Sequence, residues 1–170
     1  MSINIIYRNI IRFFILIFLQ IFIFNNINVT SFGIIPFVYI LYIILSPFET
    51  PNWLLLITAF FLGLLIDIFS DTLGLNSSAS VLIAFIRPWI LNSLSPRDGY
   101  EVSTFPRIYY QGLVWFIKYA AILILFHQIA YYFLDAFGFD NLGLTLIKVI
   151  IGSFITLSII VLSQYIVYRK

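Results

Sequence analysis

Charge is the scarcest property of this sequence. Of its 170 residues only 9% are charged, against 62% hydrophobic, whereas soluble proteins carry about 25% charged residues. So few charges cannot cover a soluble domain of this size, and the mean hydropathy of +1.08 agrees. Cysteine is absent, which excludes a disulfide framework and any thiolate metal site. A single histidine, with no carboxylate–histidine cluster at metal-ligand spacing, argues against metal or nucleophilic catalysis. No P-loop or GxGxxG pattern is present. The net charge of +2 comes from cations scattered singly at segment ends. Nucleic-acid binding needs them clustered on one face. No enzyme, no cofactor and no nucleic-acid partner is expected.

What the chain does have is long apolar runs. They read as one all-α domain over 1–170, a polytopic bundle of six transmembrane helices at about 10–24, 32–45, 53–68, 78–94, 111–134 and 143–168. The first run is followed by Asn25-Asn26-Ile27-Asn28 in place of a small-residue cleavage site, so it reads as an uncleaved helix. The second is short and contains Pro36; a tilted helix and a re-entrant piece both fit, and we take it as a full crossing. Six crossings put Arg8, Arg12, Arg97, Arg107, Arg169 and Lys170 on one side and no Lys or Arg in the loops of the other. The positive-inside rule then makes both termini cytoplasmic.

Most of the information lies in 47–101. Two apolar runs joined by a short polar turn form an antiparallel hairpin. Ala59, Gly63 and Asp67 recur at i, i+4 and i+8 on the first helix; Ser80, Ala84 and Arg87 recur at i, i+4 and i+7 on the second. Small residues let membrane helices approach closely and ionisable groups avoid lipid, so both stripes face protein. Pro88 removes a backbone donor and predicts a kink near 84–88. The connection after this helix, SPRDGYE (95–101), holds Arg97 and Asp98 in a polar turn.

Five pieces of this stretch carry a resemblance: PFETPNW (47–53), GLLIDIFSDTLG (63–74), the small cluster 76–79, AFIRPW (84–89) and SPRDGYE. Together they resemble the MreD family of rod shape-determining proteins. The resemblance implies a multi-pass protein of the bacterial plasma membrane, surrounded by membrane lipid and working in cell-wall elongation. MreC is the expected direct partner, with MreB, RodA and a class B penicillin-binding protein in the same complex. The implied role is a non-catalytic scaffold for cell shape and peptidoglycan synthesis. Ala59, Gly63, Asp67, Asp71, Ala84, Arg87, Pro88, Arg97 and Asp98 are the candidate helix-packing or partner-binding residues. By the same analogy the bundle resembles substrate-binding subunits of vitamin transporters. That suggests the alternative, a small-molecule transport subunit with an outward-facing polar pocket. Such subunits dock through an alanine-x-x-x-alanine face, and residues 10–24 contain no alanine.

The charges inside the runs admit two readings. Asp67, His127 and Lys148 fall at comparable depth, where an ionisable group left in lipid costs roughly 2.5–3.5 kcal/mol. Either they line a polar pocket with Asp67 and Lys148 paired, or those two snorkel while His127 bonds a neighbouring helix; we favour the second. Arg87 lies deeper. Its possible partners are Asp67, carbonyls freed by Pro88, water or another protein, and a structural role is favoured over a catalytic one. Lys118 is expected to snorkel.

Overall fold

The computed structural model describes residues 3–27, 33–97, 99–100, 104–137 and 141–167. Among these residues every regular element is a helix. Four helices are long and apolar enough to cross a membrane, Tyr7–Asn26, Asn52–Ser70, Leu113–Asp135 and Leu142–Ile166: the chain is a helical membrane protein. In chain order α1 (Ile3–Phe22) is followed by a 3-10 turn (Phe24–Asn26), a non-helical stretch at 33–37, then a second 3-10 turn (Val38–Ile40) running straight into α2 (Leu41–Ile44). Next come α3 (Asn52–Ser70), α4 (Leu75–Ser93), the single turn α5 (Ile108–Gln111), α6 (Leu113–Asp135) and α7 (Leu142–Val167). Gly112, at φ 83°, separates α5 from α6 where one helix from 111 was expected.

The run expected to be helical over 32–45 differs most. Of its described residues only Val38–Ile44 is helical. Pro36 has no N–H and its ring disfavours helical backbone at the preceding residue, which here goes with a non-helical stretch before Val38. Irregular backbone is tolerated at membrane depth only where protein surrounds it, and this stretch is the most buried among the described residues. Ile34, Tyr39, Ile40, Ile43 and Ile44 are all 0% exposed. The long helices encircle it: α4 lies between α3 and α6, α7 packs on α6, α1 packs on α3, and both α1 and α7 touch the central turn.

α4 is as long as α3, but Asn76, Ser77, Ser78, Ser80 and Arg87 dilute its apolar character. Other segments meet Asn76, Ser77 and Arg87, Ser78 Oγ donates to the Gly74 carbonyl at 2.6 Å, and buried Ser80 Oγ has no hydrogen-bond partner.

Candidate functional site

Asp67 sits near the end of α3 and is 3% exposed. Its carboxylate lies against the first turn of α4. Oδ1 accepts from Thr72 Oγ1 at 2.5 Å, from the Asn76 backbone N–H at 3.0 Å and from Asn76 Nδ2 at 3.0 Å. Oδ2 accepts from the Ser77 N–H and from Ser77 Oγ, both at 2.9 Å. A helix begins with orphan N–H groups, normally met by the side chain of its own N-cap residue. Here that residue is Gly74, at φ 80°, which has no side chain to offer. Asp67 caps α4 from the preceding helix instead, and its negative charge suits the positive end of the helix dipole.

Gly63, one turn earlier, makes this approach possible. A Cβ there would lie 2.3 Å from Ser77 Cα and 2.4 Å from its backbone N, so only glycine lets α3 and α4 meet this closely. Ala59 and Ala84 are 0% and 1% exposed and continue the tight seam. Asp71, just past Asp67, is exposed and left-handed at φ 52°, closing the C-terminus of α3.

Arg87 works at the other end of the central segment. Its Nε donates to Tyr119 Oη at 2.8 Å, and its Nη2 to the Ser46 and Pro47 carbonyls. Tyr119 Oη in turn donates to the Ile44 carbonyl at 3.1 Å. The carbonyls beyond α2 have no helical partners, and a cation at a helix C-terminus is favourable. Of the partners considered for Arg87, neither Asp67 nor the carbonyls next to Pro88 is used. α4 continues through Pro88, and Arg87 reaches across to another segment.

The N-terminal end of that segment is held by an amide. Gln20 of α1, fully buried, accepts from the Val38 and Tyr39 N–H groups at 2.8 and 3.3 Å and donates to the Pro36 carbonyl at 3.0 Å. Thr156 of α7 accepts from the Phe37 N–H at 3.2 Å. A middle link joins both sites: Tyr39 Oη donates to Asn76 Oδ1 at 3.1 Å and lies 2.6 Å from His127 Nε2. A polar chain thus runs from Asp67 through Asn76 and Tyr39 to His127.

His127 therefore bonds the central segment. Lys148 does not join Asp67; its Nζ lies 5.8 Å from the Tyr132 ring centroid. Asp67 neither pairs with Lys148 nor snorkels, the reading favoured above: it is buried as the helix cap, because two backbone N–H groups claim its carboxylate. Lys118 and Arg97 are exposed, and Asp98 lies outside the described residues. Sequence reasoning missed Gln20, Tyr39, Tyr119 and Thr156 as polar clamps. Gln20 had a signal, being the one polar side chain in the run 13–24.

The motif pieces meet in two clusters. At one end GLLIDIFSDTLG and 76–79 form the Asp67 cap. At the other, Phe48 stacks on Tyr100 at 4.2 Å between centroids, Tyr100 Oη donates to the Leu91 carbonyl at 2.8 Å, and Trp115 Nε1 donates to the Leu94 carbonyl at 3.0 Å. Partial burial raises the Tyr100 phenol to about 12. Arg87 and Pro47 join the same end. Beside the Asp67 cap a cavity of about 250 Å³ is lined by Asn25, Ser70, Thr72, Asn76 and Tyr131 among others. No family model, no curated protein and no solved structure matches the chain.

Proposed function

We propose that this protein is a non-catalytic scaffold of the bacterial cell-wall elongation complex, as its resemblance to the MreD family implies, acting in the plasma membrane. Its direct partner is MreC, with MreB, RodA and a class B penicillin-binding protein in the same assembly. The observation that carries this reading is the use made of Asp67 and Arg87. Both buried charges are engaged by backbone groups of neighbouring segments, in the manner of groups that fix helix positions. A bundle pinned in this way presents rigid apolar faces to partners, and Phe14, Phe18, Phe85 and Phe154 are exposed on such faces.

The same proposal includes six crossings with both termini cytoplasmic. Gln20 meets Pro36 and Val38, while Arg12 Nη1 donates to the Leu45 carbonyl at 3.2 Å, so the central segment runs antiparallel to α1. Five non-helical residues and seven helical ones can cover at most roughly 30 Å, the thickness of the ~30 Å hydrocarbon core. The side holding Arg8, Arg12, Arg97 and Arg107 is then the cytoplasmic one.

Co-purification with MreC from detergent tests the scaffold reading. Wild type should retain MreC, and Arg87→Leu and Asp67→Asn should lose it in step with their loss of thermal stability. A wild-type protein that does not retain MreC sinks the proposal. The second reading, a small-molecule transport subunit, is favoured by the polar cavity beside Asn76 and Thr72. It predicts that the purified protein alone captures a small solute, and that Asn25→Leu abolishes capture.

A further inference from the structure

Just beyond α1 a polar and an apolar space adjoin. The polar one is the cavity of about 250 Å³ beside the Asp67 cap, lined by Asn25, Asn26, Ser70, Thr72, Asn76 and Tyr131 among others. The apolar one is a groove of about 470 Å³ that follows α1 from Phe14 to Phe22. Ile21 and Phe69 line both. Phe14, Phe18, Phe22 and Phe69 are all exposed, so this groove faces the lipid. Among the described residues no charged side chain lines either space.

Much of the cavity's polar lining is already held in place. Asn25 Oδ1 accepts from Gln20 Nε2 at 2.8 Å, and Asn25 Nδ2 donates to Ser70 Oγ at 2.7 Å. Thr72 and Asn76 both donate to Asp67. Three groups are left over. Tyr131 is 7% exposed, yet its hydroxyl meets no hydrogen-bond partner among the described residues. Ser70 Oγ accepts from Asn25 but has no acceptor there for its own proton. Asn26 spends its Nδ2 on the Ile21 and Phe22 carbonyls and leaves Oδ1 open. Buried polar groups are normally paired. This set offers donors and acceptors without charge, and a ligand hydroxyl complements both because it donates and accepts.

We propose that the two spaces together bind one lipid with an uncharged, polyhydroxylated headgroup, of the glycosyl-diacylglycerol type. Its sugar ring fills the cavity, with hydroxyls on Tyr131 Oη, Ser70 Oγ and Asn26 Oδ1 and its apolar C–H face against Phe37 and Phe69. One acyl chain lies in the groove along Phe18 and Phe22. Size agrees: the cavity has room for roughly eight waters at about 30 Å³ each, far more than the lone hydroxyl of a diacylglycerol would fill. A phosphate headgroup would meet no cation there and would lie close to the Asp67 carboxylate, which repels it. Length agrees as well, since α1 rises about 12 Å from Phe14 to Phe22, most of one leaflet of the ~30 Å hydrocarbon core. The site uses the cavity of the second reading but holds a retained lipid in place of a transported solute, and it does not depend on which protein the bundle binds.

Native mass spectrometry of the full-length protein in an amine-oxide detergent, which brings no sugar of its own, tests it. The probes are monoglucosyl-dioleoylglycerol, dioleoylglycerol, dioleoyl-phosphatidylglycerol and free glucose. One glucolipid should be retained under conditions that strip the other three. Tyr131→Phe removes a hydroxyl that the fold does not use. It should weaken retention roughly 3- to 10-fold, the loss of one hydrogen bond, without lowering thermal stability. Phe69→Ala, where the two spaces meet, should weaken it at least as much. Equal retention of the three lipids, unchanged retention in Tyr131→Phe, or a co-purifying polypeptide that cross-links at Phe18 and excludes the lipid would each overturn the assignment. Free glucose held as tightly as the glucolipid would overturn it in favour of the transport reading. Retention of none of the four overturns it too, and leaves the transport reading to a different solute.

Discussion

Replacing Asp67 by alanine removes the carboxylate that starts α4. Two buried backbone N–H groups, those of Asn76 and Ser77, lose their acceptor. The side chains of Thr72, Asn76 and Ser77 lose one as well, but hydroxyls and amides can rotate to other partners. Orphaned buried donors cost roughly 1–3 kcal/mol each. The two backbone groups alone therefore set a loss of about 3 kcal/mol, near the lower end for breaking a buried charged contact. Asp67→Asn keeps one acceptor oxygen but turns an NH₂ towards one of the two N–H groups, and should cost about 1–2 kcal/mol. At roughly 2–4 °C per kcal/mol for a chain of this size, the alanine variant should melt about 6–12 °C below wild type in detergent. Hydrogen exchange gives the sharper readout, since protection should fall first in the opening turn of α4 and not in α6 or α7. An alanine variant that melts within about 2 °C of wild type, or whose exchange rises evenly along the chain, would refute the cap as the role of Asp67.

Two glycines make a paired test of helix approach. Gly63→Ala places a Cβ against Ser77 backbone and should prevent normal folding, whereas Gly152→Ala meets only the movable Gln128 side chain at 3.2–3.4 Å and should shift the melting temperature by a few degrees at most, as thermal unfolding would show. Arg87→Lys keeps the charge but cannot span Tyr119 and the Ser46 and Pro47 carbonyls together. It should lose about 1–3 kcal/mol, with Tyr119→Phe adding little in that background, measured as a double-mutant cycle. Gln20→Leu leaves the Val38 and Tyr39 N–H groups and the Pro36 carbonyl unmet, and should cost at least as much as Asp67→Ala; a variant as stable as wild type would show that the amide is dispensable.

The hairpin was legible because its constraints are local. Gly63 and Asp67 share a face by helical periodicity alone, and a turn of a few residues leaves α3 and α4 no choice but to pair. What the charges do once there was not legible. The spacing that placed Asp67 on an inner face did not say that Gly74 would leave α4 without a cap side chain, so snorkelling was favoured there, with a pairing to Lys148 as the alternative. Arg87 posed the same difficulty, because its acceptors are main-chain carbonyls of Ser46 and Pro47, and any residue has a carbonyl.

The apolar composition by itself determined a helical membrane protein, since so few charges leave lipid as the only solvent for most of the surface. It did not determine the interruption at Pro36, because Pro88 lacks the same donor and α4 runs through it. Only the tertiary structure decided that the run least able to form a helix becomes the centre of the bundle. Its unpaired N–H and carbonyl groups cannot face lipid, so they must lie where Gln20, Thr156, Tyr119 and Arg87 converge. That convergence depends on how four separate helices pack.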